Sequence, residues 1–421
     1  MNKTTLFSFL FLISSLCFVR AESPETTASF AYGADVSWIT QMEASGKKFY
    51  TAAGTQMEGM ALLKSLGMNS IRLRVWVNPT GGWNNAADVL VKAKRANDLG
   101  LRLMIDFHYS DTWADPGKQT KPAAWTSLSF ADLKTAVATH TSQVLTLLKD
   151  NAITPEWVQV GNETSNGMLW ETGKASTSMS NYAALTTSGY DAVKSVFPNA
   201  KVIVHLNNGY KNDTFRWIFD GLKNNGGKWD VIGMSVYPYW YTTSNDWQNC
   251  NIACLNNMND MVSRYGKEVM IVECGMSWDS PTACKNFLTD LIAKTKTVTG
   301  GKGTGVFYWE PQAYGQWQGY SLGAFDNSGK PTIAMDAFTL HTQVNNPAVS
   351  PIIFNWDRNE GALKFNEILT NILIYSIDGR LIISATNTDY IFTKVLQSGV
   401  YIIKVLPVND NKMQSFKFIM Y

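Results

Sequence analysis

Histidine is scarce in this chain: His108, His140, His205 and His341 are the four in 421 residues, and each is isolated. Such singletons do not build the histidine cluster that a barrel metallohydrolase carries, so no metal and no other cofactor is expected. Charge imbalance is missing too. Lys+Arg 36 against Asp+Glu 34 leaves +2, which excludes the polycationic surface that attracts nucleic acid. Long apolar runs are confined to Leu6 to Val19, too short for a membrane span. With Lys3 before it and Val19-Arg20-Ala21 after it, that run reads as an export signal, residues 1–21, cut before Glu22. Bulky Leu16 before Cys17 argues against lipid attachment. Cysteine is sparse, and four remain after cleavage: Cys250, Cys254, Cys274 and Cys284. In an exported protein an even count permits two disulfides, the simplest of three connectivities being Cys250 with Cys254 and Cys274 with Cys284. No histidine lies near them and neither pair has zinc-knuckle spacing.

What is present is a long alternation of β-rich runs and helical patterns between about Phe30 and His341. Eight runs read as strands: Tyr32 to Trp38, Ser70 to Trp76, Arg102 to Tyr109, Trp157 to Glu163, Lys201 to Asn207, Asp230 to Tyr237, Glu268 to Glu273 and Gly305 to Glu310. Helical stretches such as Met57 to Leu66 and Leu133 to Lys149 fall between them. Eight repeats of strand then helix predict a (β/α)8 TIM barrel, α/β in class, over residues 22–344.

Two of these strands, Trp157 to Glu163 and Glu268 to Glu273, run apolar and then end on a glutamate. Carboxylates at the C-terminal mouth of barrel strands sit where such folds keep their chemistry, and two from different strands can flank one sugar ring. Glycoside hydrolysis needs that pair. The 15 Trp and 17 Tyr supply faces for stacking on sugars, although many must fill the core. Trp113, Trp278, Trp309 and Trp317 fall on or after strand ends, with Trp309 best placed to lie beneath the reacting sugar and Trp113 and Trp317 in outer subsites or in loop packing. Arg72 and Arg74 share one face of the second strand. Arg74, nearer the mouth, is expected with Tyr237 to hold Glu273 ionised; the competing reading is a structural ion-pair network inside the barrel. His108 is expected to donate to a substrate hydroxyl, and His205 and Asn207 are read the same way, against the alternative of satisfied core residues.

The strings Ser70-Ile71-Arg72-Leu73-Arg74-Val75-Trp76-Val77-Asn78-Pro79, Asp106-Phe107-His108-Tyr109-Ser110-Asp111-Thr112-Trp113-Ala114-Asp115-Pro116, Gly161-Asn162-Glu163 and Tyr308-Trp309-Glu310-Pro311 resemble glycoside hydrolase family 53, the arabinogalactan endo-β-1,4-galactanases. The resemblance spans all eight strands. It implies retaining hydrolysis of β-1,4-galactosidic links in galactan and type I arabinogalactan, with Glu163 as general acid/base and Glu273 as nucleophile. Asn162 is similar to the asparagine that bonds the 2-hydroxyl of the attacked sugar, and Asp111 falls in a family-like string as a supporting residue. Bacterial relatives can carry a calcium ion between the loops after strands 7 and 8, but Met276 to Cys284 holds one acidic residue, Asp279, and no metal site is expected there.

Beyond His341 the pattern changes. Residues 345–351 read as a linker, and 352–421 as a small all-β, sandwich-like domain with turns at Asp378-Gly379 and Ser398-Gly399. Leu373-Ile374-Tyr375-Ser376-Ile377-Asp378-Gly379-Arg380 and Ser398-Gly399-Val400-Tyr401-Ile402-Ile403-Lys404-Val405 resemble the C-terminal sorting domain of type IX secretion. That implies delivery to the medium or cell surface of a Gram-negative bacterium by the type IX machinery. A carbohydrate-binding module fits the strand pattern equally. For the whole chain, the galactanase, taken as a monomer, stands beside a glycosidase for another β-linked polymer and a non-catalytic sugar-binding protein.

Overall fold

The computed structural model describes residues 30–242, 246–339, 352, 354–357, 359–408 and 413–420. The expected signal (1–21) and linker (345–351) lie outside the described residues. The chain divides into two compact units, Met1–Thr339 and Leu340–Tyr421.

The first unit is a closed parallel barrel whose strands are β1 (Ala31–Asp35), β2 (Ser70–Val75), β3 (Arg102–Phe107), β4 (Trp157–Val160), β5 (Lys201–Leu206), β6 (Val231–Val236), β7 (Glu268–Cys274) and β8 (Gly303–Trp309). β1 closes the ring by pairing with both β8 and β2. The TIM-barrel expectation is therefore met. These strands are covered on both faces, which is why β2 is buried along its whole length. Outward residues such as Ile71, Leu73 and Val75 pack in the layer beneath the helices. Inward residues Met104, Trp157, Ile203, Val231, Met270, Val272 and Phe307 form an apolar floor. Gly33 leaves room for the Phe307 ring there, since a Cβ at Gly33 would lie 2.1 Å from it.

Two short helices, α1 (Ile39–Ala44) and α2 (Gly59–Ser65), link β1 to β2. One helix then follows each further strand up to β7: α3 (Ala86–Asp98), α4 (Phe130–Asp150), α5 (Met179–Val196), α6 (Asn212–Asn224), α7 (Trp247–Tyr265) and α8 (Pro281–Lys296). Their starts follow capping chemistry: Asn85 accepts from the Asp88 N–H and Ser129 from that of Asp132.

Two sequence expectations are corrected. β4 ends at Val160, not Glu163, because Gly161 adopts φ 85° and turns the chain out of the sheet. The cysteine pairs are free, buried thiols: Cys250 and Cys254 sit on the core-facing side of α7, and Cys284 on α8 lies 3.5 Å from the Tyr308 hydroxyl. Packed this way they serve as small apolar residues. Glu273 faces the cleft, as expected, although strict alternation would turn it outward after inward Val272. A register shift between β6 and β7, with Met234 opposite Ile271 but Ser235 opposite Glu273, re-aims it inward.

The second unit is a five-stranded antiparallel sheet of β9 (Phe354–Asp357), β10 (Ala362–Ser376), β11 (Leu381–Phe392), β12 (Gly399–Pro407) and β13 (Gln414–Met420). Leu363, Leu369, Ile372, Ile374, Ile403 and Val405 lie in its own small core. The turn between β10 and β11 is made at Asp378-Gly379, where Gly379 takes φ 87°.

Candidate active site

The C-terminal ends of the barrel strands surround a cleft of about 610 Å³, lined by Glu163, Glu273, Asn162, Tyr237, His108 and a ring of indoles from Trp38, Trp76, Trp113 and Trp309. Above the apolar floor the inward residues become polar. Asp35, Arg72, Asp106, Gln159 and His205 are fully buried there, so each depends on the others for partners.

Arg72 is the centre of that layer. Its Nη1 lies 2.8 Å from Asp35 Oδ2 and 2.8 Å from Glu273 Oε1, and its Nη2 lies 2.8 Å from Asp106 Oδ2 and 2.9 Å from Asn162 Oδ1. The Tyr237 hydroxyl donates to Glu273 Oε2 at 3.2 Å. Glu273 thus faces a fixed cation and a fixed donor. Glu163 stands just beyond β4 in a left-handed conformation, φ 46°. It faces no cation at contact distance among the described residues. Its Oε1 accepts from Ser235 Oγ at 2.6 Å, and its N–H donates to His205 Nδ1 at 3.3 Å. With Nδ1 accepting, His205 Nε2–H donates to Ser235 Oγ at 2.7 Å, which completes a chain from imidazole to hydroxyl to carboxyl.

One oxygen from each carboxyl and one His205 nitrogen lie within 4.8 Å of one another. That trio is not a free ligand set for a metal, because both His205 nitrogens are engaged and Arg72 already sits on Glu273. Burial pushes Glu163 up to about 7, opposed by the Ser235 hydrogen bond and by Arg72. Burial also raises Glu273, to about 8, with Arg72 the main opposing influence. The two therefore compete for a proton near neutral pH, and contact geometry favours leaving the charge on Glu273: a guanidinium and a phenol donate to it, against one hydroxyl for Glu163. Burial holds His205 well below its ordinary value, so it stays neutral.

Several residues do not sit as the sequence led one to expect. Arg74 does not reach Glu273; its Nη1 pairs instead with Glu310 Oε1 at 2.8 Å, and Arg72 takes the place expected of it. His108 lines the cleft, but its Nε2 bonds Asp106 at 3.0 Å and its Nδ1 accepts from Trp76 Nε1 and the Ala114 N–H. Neither nitrogen is left for a substrate hydroxyl. His205 is fully buried and acts beneath Glu163. Asn207 Oδ1 accepts from Ser165 Oγ, away from the cleft lining. Asp111 braces a loop, accepting from the N–H groups of Asn78 and Ala123. Trp317 and Trp278 are absent from the cleft lining, where Trp113 and Trp309 are found. In the loop that calcium would tie, Asp279 already accepts from Ser277 and Ser280, and a single carboxylate does not make a calcium cage.

Sequence reasoning missed Ser235, Gln159 and Glu310, and it placed Arg72 in an ion-pair network only as the competing reading. The signal for Glu310 was present, since it is a third strand-end glutamate in Tyr308-Trp309-Glu310-Pro311. Counting it as a carboxylate would have given Arg74 a partner.

A closed parallel barrel with two close, unequally supported carboxyls in an indole-lined cleft defines a glycoside hydrolase of the barrel type. The chain belongs to glycosyl hydrolase family 53, whose model matches residues 31–338. An arabinogalactan endo-β-1,4-galactanase of Humicola insolens is 34% identical over 304 residues, 66% of this chain and 88% of that protein. A protein of Niallia circulans, described only by its position in the bgaB 5′ region, is 35% identical over 335 residues, 72% of this chain and 90% of that protein. Among solved structures, a fungal β-1,4-galactanase superposes with TM-score 0.68 at 30% identity, covering 74% of this chain and 99% of the other. The Ignisphaera aggregans family 53 catalytic domain gives TM-score 0.68 at 31% identity, covering 75% and 97%.

Proposed function

We propose that the chain is a retaining endo-β-1,4-galactanase acting on galactan and type I arabinogalactan, with Glu163 as general acid/base and Glu273 as nucleophile. The observation that carries the roles is the pair's close approach, oxygens within 4.8 Å, joined to its unequal support. Retaining enzymes keep the carboxyl groups about 5–5.5 Å apart, whereas inverting ones need about 6.5–9.5 Å to admit a water. In the first step the Glu273 carboxylate attacks the anomeric carbon and forms a galactosyl ester. The bond to the leaving oxygen breaks as Glu163 gives that oxygen its proton. In the second step Glu163, now ionised, takes a proton from water, the water oxygen attacks the same carbon, and Glu273 leaves. Asn162 faces the 2-hydroxyl: its Oδ1 is held by Arg72 and its Nδ2 donates one hydrogen to Ala114 O, so the second Nδ2 hydrogen remains for the sugar. The test is to digest potato galactan beside mannan and glucan and follow the first product by NMR. Short β-configured galacto-oligosaccharides are expected. An α-configured first product, galactose alone, or cleavage of mannan or glucan only would overturn the reading.

We further propose that residues 22–344 are the catalytic domain, acting as a monomer, and that 352–421 are a type IX sorting domain joined through 345–351, the chain being exported by the signal at 1–21. The two family-like strings in the tail support this, one ending β10 and continuing into the following turn and the other forming most of β12. A closed barrel has no sheet edge for a tail to cover, so truncation at Asn345 should leave activity and melting temperature within error of the full chain. In the native host the truncated enzyme should stay in the periplasm. Loss of binding to insoluble galactan with export unchanged would make the tail a carbohydrate-binding module.

A further inference from the structure

We propose that Arg74 and Glu310 are positioning residues that hold the tryptophan wall of the cleft in shape and so set the enzyme's affinity for the sugar chain. The idea rests on the galactanase reading for its substrate and on independent geometry for its structure. Trp38, Trp76, Trp113 and Trp309 come from or beside the ends of four different strands, β1, β2, β3 and β8. No common backbone segment fixes them relative to one another, yet they meet edge to face: Trp38 with Trp309 at 5.0 Å, Trp76 with Trp113 at 5.1 Å and Trp38 with Trp113 at 5.7 Å between ring centroids.

Behind them lies the Arg74 guanidinium, 4.4 Å from the ring centre of Trp113, 5.1 Å from Trp38 and 5.2 Å from Trp76. Among the described residues only its Nη1 has a hydrogen-bond partner; Nε and Nη2 are buried without one. Such donors normally carry a cost, and what surrounds the guanidinium is three electron-rich indoles, the surface that a planar cation prefers. Glu310 fixes the cation and the wall together. Its Oε1 takes Arg74 Nη1, both its oxygens accept from the Trp38 N–H at 3.0 and 3.2 Å, and Gln312 Nε2 donates to its Oε2 at 2.7 Å. The Arg74 N–H in turn donates to Ser37 Oγ at 2.8 Å. Neither residue lines the cleft or touches Glu163 or Glu273, so their influence on substrate must pass through the rings.

The test compares Arg74→Lys, which keeps the charge but loses the planar face, and Glu310→Gln, which keeps the shape but loses the charge, with the parent enzyme. KM and kcat are measured on 1,4-β-galactotetraose, together with near-ultraviolet circular dichroism and melting temperature without substrate. KM should rise about tenfold in Arg74→Lys, with kcat changing by a smaller factor, and the tryptophan dichroism should diminish. Glu310→Gln should change both in the same direction by less. A lowered melting temperature with KM and dichroism unchanged would mean a merely structural ion pair and overturn the proposal, as would a fall confined to kcat with a displaced pH profile. If the parent enzyme did not cleave galactotetraose, the galactanase reading would fail, while the dichroism of the two variants would still decide whether Arg74 orders the wall.

Discussion

Arg72 and Arg74 stand two residues apart on one face of one strand, both fully buried, yet they do opposite kinds of work. Arg72 is surrounded by acids, with Asp35, Asp106 and Glu273 each at 2.8 Å, and its role is to balance charge. Arg74 meets a single carboxylate, Glu310, and three indoles, and its role is to fill and order an aromatic wall. The same residue type on the same face thus supports the Glu273 carboxylate at one level of the barrel and the indole wall at the next.

The largest effect should come from Arg72→Met. Removing the shared cation leaves three carboxylates buried without a counter-charge, and breaking a buried pair typically costs about 3–5 kcal/mol. Denaturant unfolding should show at least that loss, and activity should vanish. Arg74→Met strands only Glu310 and should cost less; equal losses would dissolve the distinction between the two clusters.

Next in size is Glu163→Ala. On galactan its kcat/KM should fall by about 10²- to 10⁴-fold, the usual range for a general acid. On an aryl galactoside with a good leaving group the first step needs no proton, so turnover should recover when azide is supplied. Similar losses on both substrates without azide rescue would point away from Glu163.

The pH dependence has a defined sign. Glu163 is raised to about 7 by burial and, in its proposed role as the acid, must be protonated for the first step, so kcat/KM should fall as pH rises past about 7. The same shift lowers stability: between the ordinary carboxyl value of 4.5 and about 7 the folded chain holds a proton that the unfolded chain has released, so stability declines across that window. Glu163→Gln should flatten the decline, as read from melting temperature against pH. Ser235→Ala gives the smallest change. It deletes the hydrogen bond that lowers Glu163, and the alkaline limb should move to higher pH with rate losses of roughly tenfold, as expected for a net contribution on the order of 1 kcal/mol. A limb that moved down, or stayed in place, would remove Ser235 from the proton path.

The sequence made the barrel legible because eight buried runs alternate with helical patterns, and it made Glu163 and Glu273 legible because strand ends in this architecture face one mouth. Depth within the barrel was not legible. Alternation tells which face a side chain takes, not how far a long side chain reaches, so Arg72 and Arg74 could not be ranked by position alone. Nor does a residue's type reveal whether its polar atoms are already used. His108 and His205 looked available for substrate, but their partners Asp106, Trp76, Gln159 and Ser235 come from β2, β3, β4 and β6 or their ends, and only the folded register brings them together. The β7 irregularity that turns Glu273 inward leaves no mark that a period of two would show.

Glu273, held by Arg72 and Tyr237, is the proposed nucleophile. Incubation with an activated 2-fluoro-galactobioside, whose fluorine slows departure from the ester, followed by peptide mass spectrometry, tests it most directly. One fluoroglycosyl adduct per chain is expected, on the peptide containing Glu273 and lost in Glu273→Ala; an adduct on Glu163 or Glu310, or turnover with no adduct, would contradict that role.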